Sequence, residues 1–315
     1  MDRSAATKAA TGLIENVERV IRGKRRPVEA AITCLLAGSH LLVEDVPGVG
    51  KTMLARSIAR SVRGSFKRIQ ATPDLLPADI TGASVYNQAD ATFEFKPGPL
   101  FADVVLMDEI NRTTPRTQSA LLEAMDEGAV TVEGVRHPLP DAFFLIATQN
   151  PVEHHGTYPL PEGQLDRFAM AIDMGYVDAI TERQIVRAQL ASHPIEELDA
   201  VLSLDEVVGV RRHVRATHVG DEVLEYAMEL TRATREHPDV ELGASPRASI
   251  TLVRCAQSRA LLDGRDFVLP DDVKSLAVSA LGHRMIPAAG MRLDQGRGAE
   301  IVKEIVAKTP VPVTE

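Results

Sequence analysis

The apolar and polar positions of this chain fall into two regimes. Up to about Met174, short β-branched runs alternate with amphipathic stretches, the pattern of a parallel sheet covered by helices. Four runs read as buried strands: "HLLVED", "FKRIQA", "DVVLMDE" and "FFLIATQ". Beyond Asp178 the apolar period lengthens to that of helices, as in "AITERQIVRAQLA", "LDEVVGVRRHV", "DEVLEYAMELTRATRE" and "SPRASITLVRCAQSRALLDG", with almost no strand signal. "LPDDVKSLAVSAL" adds a further helix, whose Pro-Asp-Asp start supplies a cap and the acidic first turn that the helix dipole favours. The change of period places a hinge near residues 174–181, between an α/β domain over 1–176 and an all-helical domain over 177–315. Two hairpins interrupt the first domain. One, at about 81–99, is "ASVYNQADATFEF" with its turn at Asn87 to Asp90; the other, at about 128–140, is "GAVTVEGVRHPL" with its turn at Glu133-Gly134. A plain sheet-and-helix domain needs neither, so they are surface decoration or insertions with a task. The tail after about Ala307, "KTPVPVTE", reads as frayed.

Composition narrows what these regions do. Hydrophobic content of 44% and charged content of 25% over 315 residues are those of an ordinary folded chain with enough apolar surface for a sizeable core. A net charge of −9 argues against coating nucleic acid or an anionic membrane by bulk electrostatics. Cys34 and Cys255 lie far apart without a C-x-x-C pattern, so they read as buried thiols in a reducing compartment and not as a disulfide or zinc framework. The longest apolar run, from "AAITCLLAG" onward, is broken by Ser39 and His40 well short of a membrane span. The first residues, "MDRSAATKAATG", carry no apolar signal core. These features point to a cytoplasmic protein with no membrane span.

Chemistry enters at "EDVPGVGKT", residues 44–52. A phosphate loop works because backbone N–H groups in a tight glycine turn converge on phosphate oxygens at a helix N-terminus, while a lysine neutralises charge and a hydroxyl binds Mg2+. Here Gly48 and Gly50 can take positive φ, Lys51 reaches the terminal phosphates, and Thr52 opens the helix "TMLARSIARSV". Asp45 stands where the pattern G-x-x-x-x-G-K-[ST] begins with glycine. Asp tolerates a left-handed backbone, so the turn survives, but a negative charge beside an anion needs an explanation.

Further along, the apolar run Val104 to Met107 delivers Asp108 and Glu109 to the carboxyl edge of the sheet, where doubly wound folds bind ligands. Asp108 would hold the magnesium shell through water beside Thr52, and Glu109 would polarise an attacking water. A third strand ends in Gln149-Asn150, an amide placed to orient that water. Arg167, in "LPEGQLDRF", is either a surface ion pair or an arginine finger reaching a neighbouring subunit's nucleotide. In "LGASPRASI", Ser245 is the N-cap and Pro246 the first helical residue, which puts Arg247 in a first turn whose dipole is already positive. An external anion explains a cation there, with phosphate the obvious candidate. His154-His155 either bind a metal or sit on a solvated loop.

Together these stretches are similar to the AAA+ ATPase superfamily and, within it, to the MoxR family. "EDVPGVGKT", "IQATPDLLPADITG", "FKPGPLFADVVLMDEINRTTPRTQSALLEAMDEGAVTVEG", "ATQNP", "GTYPLPEGQLDRF" and "GASPRA" all resemble that family's motifs, over most of residues 20–250. The resemblance implies an α/β fold, a P-loop NTPase αβα sandwich with a five-stranded parallel sheet, followed by a C-terminal all-helical lid. It also implies Mg2+-dependent ATP hydrolysis and a homo-oligomeric ring, commonly a hexamer, with the site between subunits. The two hairpins become a helix-2 insert and a pre-sensor hairpin. Carried over by position, Asp45, Val46, Pro47, Gly48, Val49, Gly50, Lys51, Thr52 and Met53 form the Walker A cradle for ATP. Asp108 and Glu109 are Walker B, with Thr52 and Asp108 at the metal. Asn150 is sensor 1, Arg167 resembles the arginine finger, and Arg247 resembles sensor 2. "ERVIRGKRRPVEAAITCLLAG" resembles the segment that closes over adenine, implying base contacts from Val20, Ile21 and Gly23. Family members often carry Asp at the position of Asp45; His154-His155 departs from the more usual acidic or aromatic residue.

MoxR-like proteins are regarded as chaperone-like and are typically paired with proteins that carry a von Willebrand factor A domain. The resemblance therefore implies remodelling or maturation of a protein client, including metal or cofactor insertion, with client contact supplied by such a partner. ATP would be held at Lys51, Thr52 and Arg247 and attacked by water polarised by Glu109, while an adjacent subunit's Arg167 stabilises the developing charge. Three other readings compete. A magnesium-chelatase-like motor subunit shares the inserts, and a slowly hydrolysing nucleotide-gated scaffold is opposed by Glu109 and Arg167. A DNA motor would need a basic pore, yet "VYNQADATFEF" has two acids and no base, while "VTVEGVRHP" offers only Arg136 and His137.

Overall fold

The computed structural model of the protein describes residues 1–150, 157–191, 193–288 and 296–312. Its strands are β1 (Leu41–Glu44), β2 (Phe66–Gln70), β3 (Gly82–Asn87), β4 (Thr92–Pro97), β5 (Val104–Asp108), β6 (Ala129–Val132), β7 (Val135–Pro138), β8 (Phe144–Gln149) and β9 (Met170–Ile172), followed by two short ones in the helical region. Five of them form one parallel sheet in the order β2-β5-β8-β1-β9. The interior strands are unbroken apolar runs because both faces are covered. Leu41, Val43, Val104, Leu106, Phe144 and Ile146 point into one core, and Leu42, Val105, Met107, Leu145 and Ala147 into the other. That alternation is the two-residue period of a pleated strand.

One of the strands expected to be buried departs from the expectation. "FKRIQA" forms β2 at the sheet edge, where Lys67, Arg68 and Gln70 are exposed and Ile69 is buried. An edge strand has water on its open side, so polar residues alternate with apolar ones there. At the opposite edge β9 pairs with β1; its three residues are too few to stand out as a run. Both expected hairpins are present, β3 with β4 and β6 with β7. Glu133 and Gly134 turn the second with φ of 51° and 81°. The rings of Phe95 and His137 stack at 3.8 Å, joining the two hairpins.

All five helices read from the 3.6-residue period are formed: Ala179–Ala191, Leu204–Arg215, Asp221–Glu236, Pro246–Leu262 and Pro270–Leu281. A further one follows at Arg297–Lys308, and a short antiparallel pair joins Val240–Leu242 to Ile286–Pro287. At the start of the chain lie helices Arg3–Glu18 and Arg25–Ala37, which pack against the C-terminal helices. Arg3 donates to Thr217 Oγ1 at 3.0 Å and to the Arg265 carbonyl at 2.6 Å. The larger apolar cluster runs from these helices and one sheet face into Val207, Leu252 and Leu281 of the C-terminal region. The smaller one fills the space between the other face and helix Pro115–Glu127, through Leu121 and Leu122. Among the described residues no helix is long and apolar enough to cross a membrane.

Candidate active site

The chain leaves β1 at Glu44 and turns through Asp45–Gly50 into helix Lys51–Ser61. Gly48 and Gly50 take φ of 88° and 101°, values that side chains disfavour. A Cβ at Gly48 would meet nothing within 4 Å, and one at Gly50 only the Met174 methyl at 3.9 Å. The inner side of the loop is therefore open, at the N-terminus of an 11-residue helix, as an anion cradle requires. Pro47 and Gly48 are exposed, while Val46, Val49 and Lys51, Thr52 and Met53 are half-buried. Lys51 spans the loop to donate to the Asp45 carbonyl at 2.5 Å. Burial pulls its pKa below the usual lysine value, and Asp108, Asp45 and Glu109 act in the other direction. Lys51 is thus brought beside the two strand-end acids.

Those acids are held by Thr148, a fully buried residue of β8. Its hydroxyl donates to Asp108 Oδ1 at 2.6 Å and accepts the Glu109 N–H at 2.9 Å. Glu109 takes a left-handed backbone, φ 59°, unusual for a glutamate, so the Thr148 bond fixes a bend that turns its side chain off the strand direction. Gln70 at the end of β2 donates to Glu109 Oε2 at 3.0 Å, and Arg112 pairs with the same oxygen at 3.1 Å. Arg68 pairs with Asp108 at 2.6 Å. Asn150 follows β8, which lies between β5 and β1 in the sheet, and is buried beside the acids' strand. Gln149 is turned to Glu44, to which it donates a hydrogen bond.

Mg2+ is implied by the fold, and the oxygen donors available to it, the Thr52 hydroxyl and the Asp108 carboxylate, suit a hard cation. No group of three or more His, Cys, Asp or Glu gathers as a metal site among the described residues. His154 and His155 lie outside the described residues.

Arg167 and Arg247 come together elsewhere. Arg167, just after the four-residue helix Glu162–Leu165, pairs with Asp126 and donates to the Leu122 carbonyl at 3.1 Å. Arg247 pairs with the other oxygen of Asp126 at 2.8 Å and lies 3.9 Å from Asp166. Burial lowers the Arg167 pKa, and the Arg247 charge lowers it further. Among the described residues neither arginine bonds to the phosphate loop, Asp108 or Glu109. The anions beside Arg247 at its helix start are the carboxylates of Asp126 and Asp166. Ser245 occupies the N-cap position as expected, but its hydroxyl donates to Asp166 Oδ2 at 2.8 Å and makes no cap bond.

The segment expected over adenine adjoins the phosphate loop. Ile21 is buried, Val20 packs on the larger core, and Gly23 takes φ 72° against Thr181. Lys24, next in the chain, donates to the Val49 carbonyl at 3.1 Å and to the Gly175 carbonyl. Asp45 departs from expectation in one respect: it has no positive φ, so no left-handed turn has to be tolerated there. Its side chain is buried and faces backbone amides.

Thr148, Gln70, Asp126 and Lys24 were missed by sequence reasoning. Thr148 sits within "FFLIATQ" as one more strand residue, and a hydroxyl in an otherwise apolar run was the available signal. Gln70 and Asp126 are exposed and Lys24 is buried, and none of the three carries a local mark of its partners.

Known proteins resemble this chain in sequence and fold. A profile of the ATPase family associated with various cellular activities (AAA) matches residues 40–170, and one of the AAA lid domain matches residues 232–305. The YeaC protein of Bacillus subtilis is 49% identical over 300 residues, covering 95% of this chain and 94% of its own. Chaperone MoxR1 of Mycobacterium tuberculosis is 37% identical over 308 residues, covering 95% of this chain and 81% of its own. The crystal structure of a candidate ATPase from Cytophaga hutchinsonii superposes with a TM-score of 0.91 at 35% identity, covering 99% of this chain and 97% of that one.

Proposed function

The chain belongs to the MoxR family of AAA+ ATPases, and from that premise we propose that it is a Mg2+-dependent, ATP-hydrolysing motor that remodels or matures a client protein. The observation that carries the reading is the division of its polar residues into two clusters. One has a phosphate cradle with acids, and the other has two arginines whose charged partners among the described residues are carboxylates. An arginine pair that does not reach its own phosphate loop suits a neighbouring copy's nucleotide. This supports a homo-oligomeric ring, a hexamer by the family's habit, and it moves Arg247 from its own chain's ATP to the same side as Arg167.

The residues then divide the work. The amides of Gly48–Thr52 bind the phosphates of ATP, Lys51 meets the terminal ones, and Val20, Ile21 and Gly23 line the base. Thr52 and Asp108 would hold Mg2+, which when bound neutralises charge on the phosphate oxygens. Glu109, oriented by Gln70 and Arg112, takes the proton of the attacking water, and Asn150 aligns that water. Arg167 and Arg247 leave Asp126 for the neighbouring phosphate and stabilise its developing charge. Movement of the helical region about residues 174–178 would shift the hairpins, whose Phe95–His137 stack moves them as one. A partner with a von Willebrand factor A domain would carry the client.

Steady-state turnover of Glu109→Gln tests the reading: a fall on the order of 100-fold with ATP still bound is expected, and unchanged turnover rules hydrolysis at this site out. Affinity capture with the same variant, followed by mass spectrometry, tests the partner. Recovery of magnesium-chelatase subunits in place of a von Willebrand factor A protein would transfer the chain to a chelatase-type role.

A further inference from the structure

The carboxylate of Asp45 accepts three backbone hydrogen bonds and reaches across the fold to do so. Oδ1 accepts from the Val46 N–H at 2.7 Å; Oδ2 accepts from the Met174 and Gly175 N–H groups, each at 2.7 Å. Met174 and Gly175 lie between β9 and helix Ala179–Ala191, the linker into the C-terminal helices. The contact therefore joins the first residue of the phosphate loop to the first residues of the linker. Lys24 makes a second tie between the same two segments, from the Val49 carbonyl to the Gly175 carbonyl. Lys51 makes the third contact, its ammonium resting on the carbonyl of Asp45 itself.

A glycine at position 45 would leave the Met174 and Gly175 amides without this acceptor, and the Met174 amide is buried. Leaving a buried amide unpaired costs about 1–3 kcal/mol. The negative charge that was awkward beside an anion is thus met by three backbone amides, two of them in the linker.

We propose that Asp45 is a positioning residue that couples the state of the phosphate loop to the linker at Met174–Gly175. The proposal rests on the nucleotide reading given above. Phosphate draws the Lys51 ammonium off the Asp45 carbonyl; the Asp45–Val46 peptide then keeps only its N–H contact to the Asp45 carboxylate, and a turn of that peptide passes through the same carboxylate to the linker amides. Asp45 touches no reacting atom and acts through Lys51 and the linker.

Hydrogen exchange on the full-length protein, with and without Mg2+ and a non-hydrolysable ATP analogue at a concentration that saturates each variant, tests the coupling. In the unaltered chain, nucleotide should slow exchange in peptides over Gly48–Thr52 and change it over Met174–Thr181. In Asp45→Gly the loop peptide should still respond, while the linker peptide exchanges about tenfold faster and ignores nucleotide. Asp45→Asn, which keeps one carbonyl oxygen for the linker amides, should restore most of the linker response. A linker that answers nucleotide in Asp45→Gly as it does in the unaltered chain overturns the coupling, as does an unaltered chain whose loop responds and whose linker does not. If the loop itself never responds, the nucleotide reading fails and the coupling falls with it. Should Asp45→Gly not fold, Asp45→Ser, whose hydroxyl can hold only part of the set, takes its place with the same expectations.

Discussion

At the carboxyl edge of the sheet, Lys51 stands at a helix start and Asp108 and Glu109 at a strand end, the two acids tied together by Thr148 from the neighbouring strand. The arginine cluster draws Asp126 from the end of one helix, Arg167 from a turn and Arg247 from the first turn of a C-terminal helix. The first group is held by rigid, adjacent backbone and faces an open glycine cradle. The second is held by ion pairs between side chains that are partly open to solvent, 26% to 47% exposed, and such pairs are weaker and more exchangeable than buried ones. The contrast sets a phosphate side built on fixed backbone against a charge side built on exchangeable ion pairs. On the proposed function, two copies together would make one whole site.

The largest effect that could break this comparison lies with the arginines. Arg167→Ala should lower ATP turnover on the order of 1,000-fold, and Arg247→Ala should lower it less. Mixing Arg167→Ala chains with Lys51→Ala chains, each inactive alone, should recover part of the activity, because some sites then pair an intact loop with an intact arginine. Absence of recovery in assembled mixtures would show that the two half-sites serve the same chain.

A smaller effect sharpens the other side. Thr148→Val removes the hydroxyl that joins Asp108 to the Glu109 amide while keeping the shape of the side chain. The loss of one charge-assisted bond, about 1.5–3 kcal/mol, should reduce turnover about tenfold or more with little change in stability of nucleotide binding. Equal turnover would mean that the strand ends hold the acids without help.

The smallest effect concerns stability. Helix Pro115–Glu127, which carries Asp126, is braced to the sheet by His40. Its Nδ1 accepts the Leu145 N–H at 3.0 Å, and Nε2 faces the Met125 carbonyl at 3.4 Å. Burial lowers the His40 pKa to about 4 from 6.5, so the folded chain keeps the ring neutral where the unfolded chain protonates it. Stability contributed by His40 is therefore complete above pH 6.5 and declines as pH falls toward 4, by about 2 kcal/mol at pH 5. Urea midpoints at pH 7 and pH 5 should fall further in the unaltered chain than in His40→Asn. An equal fall in both would place the acid sensitivity elsewhere.

The phosphate side was legible because its parts are local. Gly48, Gly50 and Lys51 act through backbone geometry within one turn, and Val104 to Met107 is a run that sets where Asp108 and Glu109 must emerge. Strand β2 was misjudged as buried because two apolar positions, Phe66 and Ile69, in so short a run do not tell an edge from an interior. Arg167 was left between a surface ion pair and a finger, and Arg247 was assigned an external anion, because nothing near either residue points to Asp126. Asp45 was legible as an oddity and no further: its two linker partners are about 130 residues away, and only the packing of β9 beside β1 brings them within reach.

By itself the sequence determined the alternation of strands and helices, the two hairpins, the phosphate cradle and the acids beside it. Those follow from periodicity and from backbone conformations that few residues accept, both short-range properties. The tertiary structure decided what Asp45, Thr148 and Asp126 hold, and that Arg167 and Arg247 stand together away from the loop. A hydrogen bond or an ion pair between distant side chains depends on where whole elements pack, and no local pattern of residues carries that information.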